Sequence, residues 1–149
     1  MHYLPRAASS TASLTTSLRT ALALLAFAGA AHAATVEIHV TGVTAGKGKV
    51  NVAVCDKERF LKQCTYSGSA PARDGDNVIR VTGVPAGTWA VLAYQDENEN
   101  GELDRNFVGI PKENYGFSRE ARGKFGPPDF GDAAIEVGSE TTVAAVKLR

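Results

Sequence analysis

The stretch Thr88-Trp89-Ala90-Val91-Leu92-Ala93-Tyr94 decides the fold. It carries β-branched and aromatic residues, contains no Gly or Pro, and is apolar on both faces of a two-residue period. Trp89, Val91 and Ala93 fall on one side, and Ala90, Leu92 and Tyr94 on the other. A strand that buries both faces belongs in the middle of a sheet. Working outward, Val78 to Val84 predicts a strand with Ile79 and Val81 inward, separated from the first by the turn Pro85-Ala86-Gly87 and preceded by the turn Asp74-Gly75-Asp76-Asn77.

Earlier in the chain, Thr35 to Val40 alternates Val36, Ile38 and Val40 against Thr35, Glu37 and His39. Lys49 to Cys55 alternates again with Val50, Val52 and Val54 inward. The turn signal Ala45-Gly46-Lys47-Gly48 between them predicts a first hairpin. Asp56 to Lys62 suits one helical turn from which Phe60 or Leu61 reaches the core. Two strands close the chain, near Ala134–Val137 and Thr142–Leu148, joined by Gly138-Ser139-Glu140. Short, regularly spaced strands with no long helical period predict an all-β fold, an antiparallel β-sandwich of about seven strands.

The first 33 residues read as a signal peptide. Arg6 and Arg19 precede the apolar run Ala21 to Ala28, and Ala31-His32-Ala33 is a cleavage signal. The run is shorter than the roughly 20 residues a spanning helix needs, and no later segment approaches that length. Residues 34–149 are expected to form a single exported domain, periplasmic or secreted, without a transmembrane segment after cleavage. These 116 residues carry 14 Lys and Arg against 16 Asp and Glu, a near-neutral balance that gives nucleic acid no electrostatic footprint. Cys55 and Cys64, with eight residues between them, are expected to form a disulfide in an oxidising compartment. Their spacing is wider than the C-x-x-C of a catalytic dithiol.

Chemistry is concentrated in Asp96-Glu97-Asn98-Glu99-Asn100-Gly101-Glu102-Leu103-Asp104. Counted from Asp96, side-chain oxygens fall at positions 1, 3, 5 and 9 (Asp96, Asn98, Asn100, Asp104), the Glu102 carbonyl at 7, and Gly101 at the tight-turn position 6. That matches nine positions of a calcium-binding loop of EF-hand type, so calcium (Ca2+) is the expected ion. Leu103 is the apolar peg, and Glu97 and Glu99 point to solvent. Position 12 holds Phe107 in place of a bidentate Glu, so closure needs a carboxylate from elsewhere, with Glu113, Asp129 and Asp132 as candidates. The competing reading is a polar turn in which Asn and Asp side chains satisfy their own backbone.

From Arg105 to Asp132 no strand or helix is legible for 28 residues. Loops of that length are functional or disordered, and Phe107, Tyr115, Phe117, Phe125 and Phe130 argue for order. These rings are expected either to plug one end of the sandwich or to line a groove, with Trp89 or Tyr94 beneath, for a peptide, a glycan or an envelope protein. Arg105, Lys112, Arg119, Arg122 and Lys124 make the segment basic. Ion pairing with the acidic loop is the simple explanation and an anionic ligand the other. His39 is the sole histidine after residue 33, and no G-x-S-x-G, H-E-x-x-H or phosphate loop is present. No catalytic residue is assigned; the chain is expected not to be an enzyme, a small hydrolase being the remaining alternative.

The runs Val84-Pro85-Ala86-Gly87-Thr88-Trp89-Ala90-Val91, Asp96 to Asp104, Gly109-Ile110-Pro111-Lys112-Glu113-Asn114-Tyr115-Gly116-Phe117-Ser118 and Phe125-Gly126-Pro127-Pro128-Asp129-Phe130-Gly131-Asp132-Ala133 together closely resemble a bacterial family of exported proteins, domain of unknown function 2141. The resemblance implies a secreted or periplasmic β-sandwich similar to transthyretin-like and carboxypeptidase-regulatory-like modules, with no activity to carry over. Where the family pattern often has His before the first Asp of the acidic loop, this chain has Gln95.

Overall fold

The computed structural model describes residues 33–149. The signal peptide expected over residues 1–33 lies outside the described residues, apart from Ala33 at the start of the first strand. Eight strands and one short helix follow in the order β1 (Ala33–Thr41), β2 (Lys49–Cys55), β3 (Tyr66–Pro71), β4 (Asn77–Pro85), β5 (Gly87–Asp96), β6 (Tyr115–Phe117), α1 (Phe130–Ala133), β7 (Ala134–Val137) and β8 (Thr142–Lys147). A three-stranded sheet ordered β4-β1-β8 faces a five-stranded sheet ordered β3-β2-β5-β6, in which β7 also pairs with β5. The fold is an all-β sandwich, as the alternation predicts. Among the described residues no helix is long and apolar enough to cross a membrane.

The predicted strand faces hold. Val36, Ile38 and Val40 of β1 are fully buried against Val50, Val52 and Val54 of β2 and Val91 and Ala93 of β5. Burying each such side chain stabilises the fold by about 1.5–3 kcal/mol. The predicted first hairpin does not form. β1 pairs antiparallel with β4 and parallel with β8, while β2 pairs with β3 and β5, so the connection through residues 42–48 crosses between sheets. One-sided strands bury the same face whether they lie side by side, as β1 and β4 do, or opposed across the core, as β1 and β2 do, so their alternation does not choose the partner.

β5 is central, as its two apolar faces require. Its inner face joins the core between the sheets, whereas Ala90 and Leu92 point outward into a second apolar cluster with Cys55, Phe60, Phe117 and Ala133. Phe60 anchors this cluster, its ring centroid 5.8 Å from Phe117 and 5.7 Å from Phe130. The segment from Asp56 to Lys62 forms hydrogen-bonded turns rather than the predicted helical turn. Of its two candidate anchors, Phe60 is buried and Leu61 exposed. The Cys55–Cys64 disulfide forms, with Cα atoms 4.8 Å apart, and closes this loop over the sheet.

The segment from Arg105 to Asp132, unreadable as regular structure, supplies β6 and α1. β6 continues the sheet beyond β5, and Tyr115 and Arg149 exchange backbone hydrogen bonds that tie it to the strand of the opposite sheet. Gly116 is required there. A Cβ at this position would lie 2.2 Å from the carbonyl oxygen of Lys147.

Candidate functional site

Strand β5 ends by placing successive residues on opposite faces. Gln95 points inward and is fully buried. Its Oε1 accepts from the N–H of Thr44 at 2.8 Å, and its Nε2 donates to the carbonyls of Thr44 and Lys47, each at 2.7 Å. The inter-sheet connection is thereby pinned to the base of the acidic loop. Gly48 completes the contact, since a Cβ there would lie 1.9 Å from the Asp96 carbonyl oxygen. In this chain the position before Asp96 is thus a packing and hydrogen-bonding anchor.

Asp96 is buried at the outer end of β5 and organises the turn. One carboxylate oxygen accepts from the N–H of Asn100 at 3.1 Å, and the other from the N–H of Gly101 at 2.7 Å and from Asn51 Nδ2 at 3.2 Å. Asn98 Oδ1 accepts from the Asn100 N–H, and Asn100 Oδ1 from the Glu102 N–H at 2.9 Å. Both carboxamide nitrogens then donate to Asp104, Asn98 to Oδ2 at 2.8 Å and Asn100 to Oδ1 at 3.0 Å. Gly101 takes the left-handed conformation expected of it, with φ 82°. Glu102 enters the turn through its own N–H, and Leu103 lines a neighbouring cleft rather than the core.

Of the three carboxylates considered for closure, the structure brings Glu113. Its Oε1 accepts from the N–H of Glu97 at 2.9 Å and its Oε2 from the N–H of Asp104 at 3.0 Å, so one nearly buried carboxylate clasps both ends of the turn. Asp129 and Asp132 lie instead at α1, where the Asp132 N–H donates to the Asp129 carbonyl. Asp96, Asn98, Asn100 and Asp104 are therefore gathered, with their side-chain acceptors engaged by protein donors. Among the described residues no group of three or more His, Cys, Asp or Glu side chains is set to hold a metal. The donor set fits a hydrogen-bonded turn more closely than a cation cage. To face Asp104 with oxygen, both carboxamides must rotate; the Asn100 N–H then keeps only its bond to Asp96, and the exposed Glu102 N–H is released to water.

Beside this turn lies a cleft of about 830 Å³ on the outer face of the five-stranded sheet. Its floor is Leu92 and Tyr94 of β5 with Tyr115 and Phe117 of β6. Its walls are three loops: the disulfide loop at Leu61 and Lys62, the segment from Gly101 to Pro111, and the segment from Gly123 to Pro127. The second wall is a small ribbon closed by the Arg105–Pro111 bridge and by Asn106, whose N–H donates to the Ile110 carbonyl at 2.8 Å. Tyr94 donates its hydroxyl to the Gly101 carbonyl at 2.8 Å. Burial pushes the Tyr94 phenol up, and the carboxylates of Asp96, Glu113 and Glu102 reinforce this against the hydrogen bond from Asn51.

The rings of the long loop divide. Tyr115, Phe117 and Phe130 pack on the second cluster, covering the outer face of the sheet rather than plugging an end. Phe107 and Phe125 are fully exposed. Trp89 does not underlie this loop; its indole N–H donates to the Pro85 carbonyl and its ring meets Tyr66 edge-on, 5.4 Å away. The simple ion-pairing expectation is corrected as well. Glu97 and Glu99 face solvent beside Lys47 (3.8 Å) and Lys49 (3.0 Å), while Arg105, Lys112, Arg119, Arg122 and Lys124 enter no ion pair among the described residues. Lys47 and Lys49, just before and at the start of β2, sit closer to the turn because the sheet pairs Lys49 directly with Asp96.

His39 lies on the outer face of the other sheet, between Asp76 (2.6 Å) and Glu37 (2.9 Å). Hydrogen bonds to Glu37 and then Asp76 hold its imidazole above the ordinary range. Ser118 is buried, its hydroxyl bonded to the Ala133 carbonyl and accepting from the Val91 N–H at 3.0 Å. Neither is near the other, and Ser118 serves as a seam between β5 and α1.

Sequence reasoning did not single out Asn51 or the clasping role of Glu113, since both depend on pairing across the sheet. The exposure of Phe107 and Phe125 had no signal in the sequence, since Tyr115 and Phe130 also precede a glycine and yet pack on the second cluster. Comparison with curated proteins and with solved structures gives no match. Residues 38–144, which span both sheets, the acidic turn and the cleft, match a family described as an uncharacterized protein conserved in bacteria. The chain belongs to that family, domain of unknown function 2141, as its linked motifs imply.

Proposed function

We propose that the protein is a non-enzymatic binding module of the bacterial cell envelope or its exterior, and that it binds through the cleft over its five-stranded sheet. One observation carries this reading. Of the seven large hydrophobic side chains exposed among the described residues, five (Leu61, Phe107, Val108, Ile110 and Phe125) stand on the loops that wall this cleft, and Val78 and Val143 lie elsewhere. Apolar surface gathered in this way marks binding sites, and the volume falls within the roughly 300–1,000 Å³ of ligand pockets. Peptides, glycans and envelope proteins are the partners an exported module meets. Export itself rests on the leader at residues 1–33. A hydrolase is the weaker reading because His39 belongs to the other sheet and the Ser118 hydroxyl is enclosed.

Titration with anilinonaphthalene sulfonate tests the cleft. The dye is expected to bind saturably, and Leu92→Gln, which places a polar group on the floor, to weaken it by about tenfold while native circular dichroism is retained. A native protein that fails to bind the dye, or binding indifferent to Leu92→Gln, refutes the reading. Turnover in esterase, glycosidase or peptidase screens would favour the hydrolase.

Calcium in the Asp96–Asp104 turn is a second reading, favoured by the gathering of the Asp96, Asn98, Asn100 and Asp104 side chains in one turn. It would act as a brace rather than as chemistry. Saturating a native-state site to one hundred times Kd adds about 2.7 kcal/mol. An equal melting midpoint in millimolar calcium and in chelator would sink it.

A further inference from the structure

We infer that the mouth of the cleft docks on an anionic lipid bilayer, with the three loop tips entering the headgroup layer. This rests on reading the cleft as the binding face. The argument lies in how apolar and cationic residues alternate at its rim. Leu61 is followed by Lys62 on the disulfide loop, Phe125 is preceded by Lys124, and Phe107, Val108 and Ile110 are bracketed by Arg105 and Lys112. Phe107 and Phe125 are fully exposed, and Val108 and Ile110 are about 60 % exposed. Lys62, Arg105 and Lys124 line the cleft, and none of them is in an ion pair among the described residues.

Aromatic and aliphatic tips beside cations that no carboxylate neutralises are what an interfacial surface requires. The rings partition into the boundary between headgroups and chains, and the cations meet the negative surface. The tips are also held in place. The Cys55–Cys64 disulfide fixes the first loop, and the Arg105–Pro111 bridge fixes the second, with Arg105 donating to the Gly109 carbonyl at 3.0 Å. A second copy of the chain fits less well, because a symmetric contact across this mouth would set Lys62, Arg105 and Lys124 against their own images.

The test is vesicle flotation with the purified protein, using phosphatidylcholine vesicles with and without phosphatidylglycerol. Three cations near the surface predict about a hundredfold preference for the anionic vesicles, falling steeply with added salt. Phe107→Ser combined with Phe125→Ser is expected to lower anionic-vesicle binding more than tenfold, and Lys62→Gln with Lys124→Gln to remove most of the preference. These side chains are exposed, so both variants are expected to melt with the native protein. Equal binding to both vesicle types, or undiminished binding by the Phe pair, overturns the proposal. So does absence of vesicle binding. If anilinonaphthalene sulfonate still binds in that last case, the cleft reading stands and only the bilayer is excluded; if the dye fails too, both fall. Concentration-dependent dimerisation abolished by the Phe pair, without vesicle binding, would assign the mouth to a second copy instead.

Discussion

Replacing Glu113 by Ala removes the single carboxylate that accepts from the N–H groups of both Glu97 and Asp104. Hydrogen bonds to a charged acceptor contribute about 1.5–3 kcal/mol each. Glu113 is nearly buried, whereas the turn it clasps is open to water on its outer side, so the released N–H groups recover part of that loss. The expected cost is about 2–4 kcal/mol, or roughly 8–15 °C in Tm for a domain of this size. Glu113→Gln keeps one acceptor and is expected to lose about half as much. Urea denaturation at neutral pH, followed by the fluorescence of the chain's one tryptophan, Trp89, measures both variants. A Glu113→Ala protein within about 0.5 kcal/mol of the native one, the range of ordinary surface substitutions, would refute the clasp. Equal losses in the two variants would place the effect in charge rather than in paired acceptance.

Three further outcomes follow from the same structure. His39 is raised, first by Glu37 and then by Asp76, and Glu37 is lowered, first by His39. The imidazolium therefore stabilises the fold fully below its unfolded value of about 6.5, and this fades as pH climbs through the higher folded midpoint. The Glu37 share is lost at the acid end, as pH falls through its lowered folded midpoint. His39→Gln should be costliest on the mildly acidic side, and an NMR titration midpoint at or below 6.5 would contradict this. Gly116→Ala drives a methyl into the Lys147 carbonyl and should cost at least about 2–3 kcal/mol or prevent folding; native-like urea stability would show that β6 and β8 can part freely. Reducing Cys55–Cys64 should cost about 2–3 kcal/mol, read as a lower urea midpoint, and an unmoved midpoint would mean the second cluster holds the loop without it.

Much of the sandwich was legible because one-sided strands announce themselves. The alternation of Val36, Ile38 and Val40 and of Val50, Val52 and Val54 gave the inward faces directly, and the doubly apolar β5 proved central. Partnership was less legible. A Gly-rich turn between two strands marks a reversal, but not whether the chain returns beside itself or crosses to another sheet. β3 escaped because Tyr66-Ser67-Gly68-Ser69-Ala70-Pro71 has little β-propensity and is held by pairing with β2. β6 has three residues and exists through its neighbours β5 and Arg149. In the acidic turn, residue spacing identified the participants, while the direction of each carboxamide depended on donors supplied by the backbone. The cleft was visible only as an excess of rings, since which rings are buried depends on where Phe60 is delivered by the disulfide loop.

The parallel pairing of β1 with β8 also governs the order in which the molecule is made. β1 lies between β4 and β8, and residues 142–147 leave the ribosome after every other described strand. Until they arrive, the first strand keeps an open edge and its sheet has only two members. Most contacts join residues distant in sequence, so loop-closure entropy must be lost before burial compensates for it, which slows folding. A nascent chain of this design leaves its first sheet unfinished until β8 has been made.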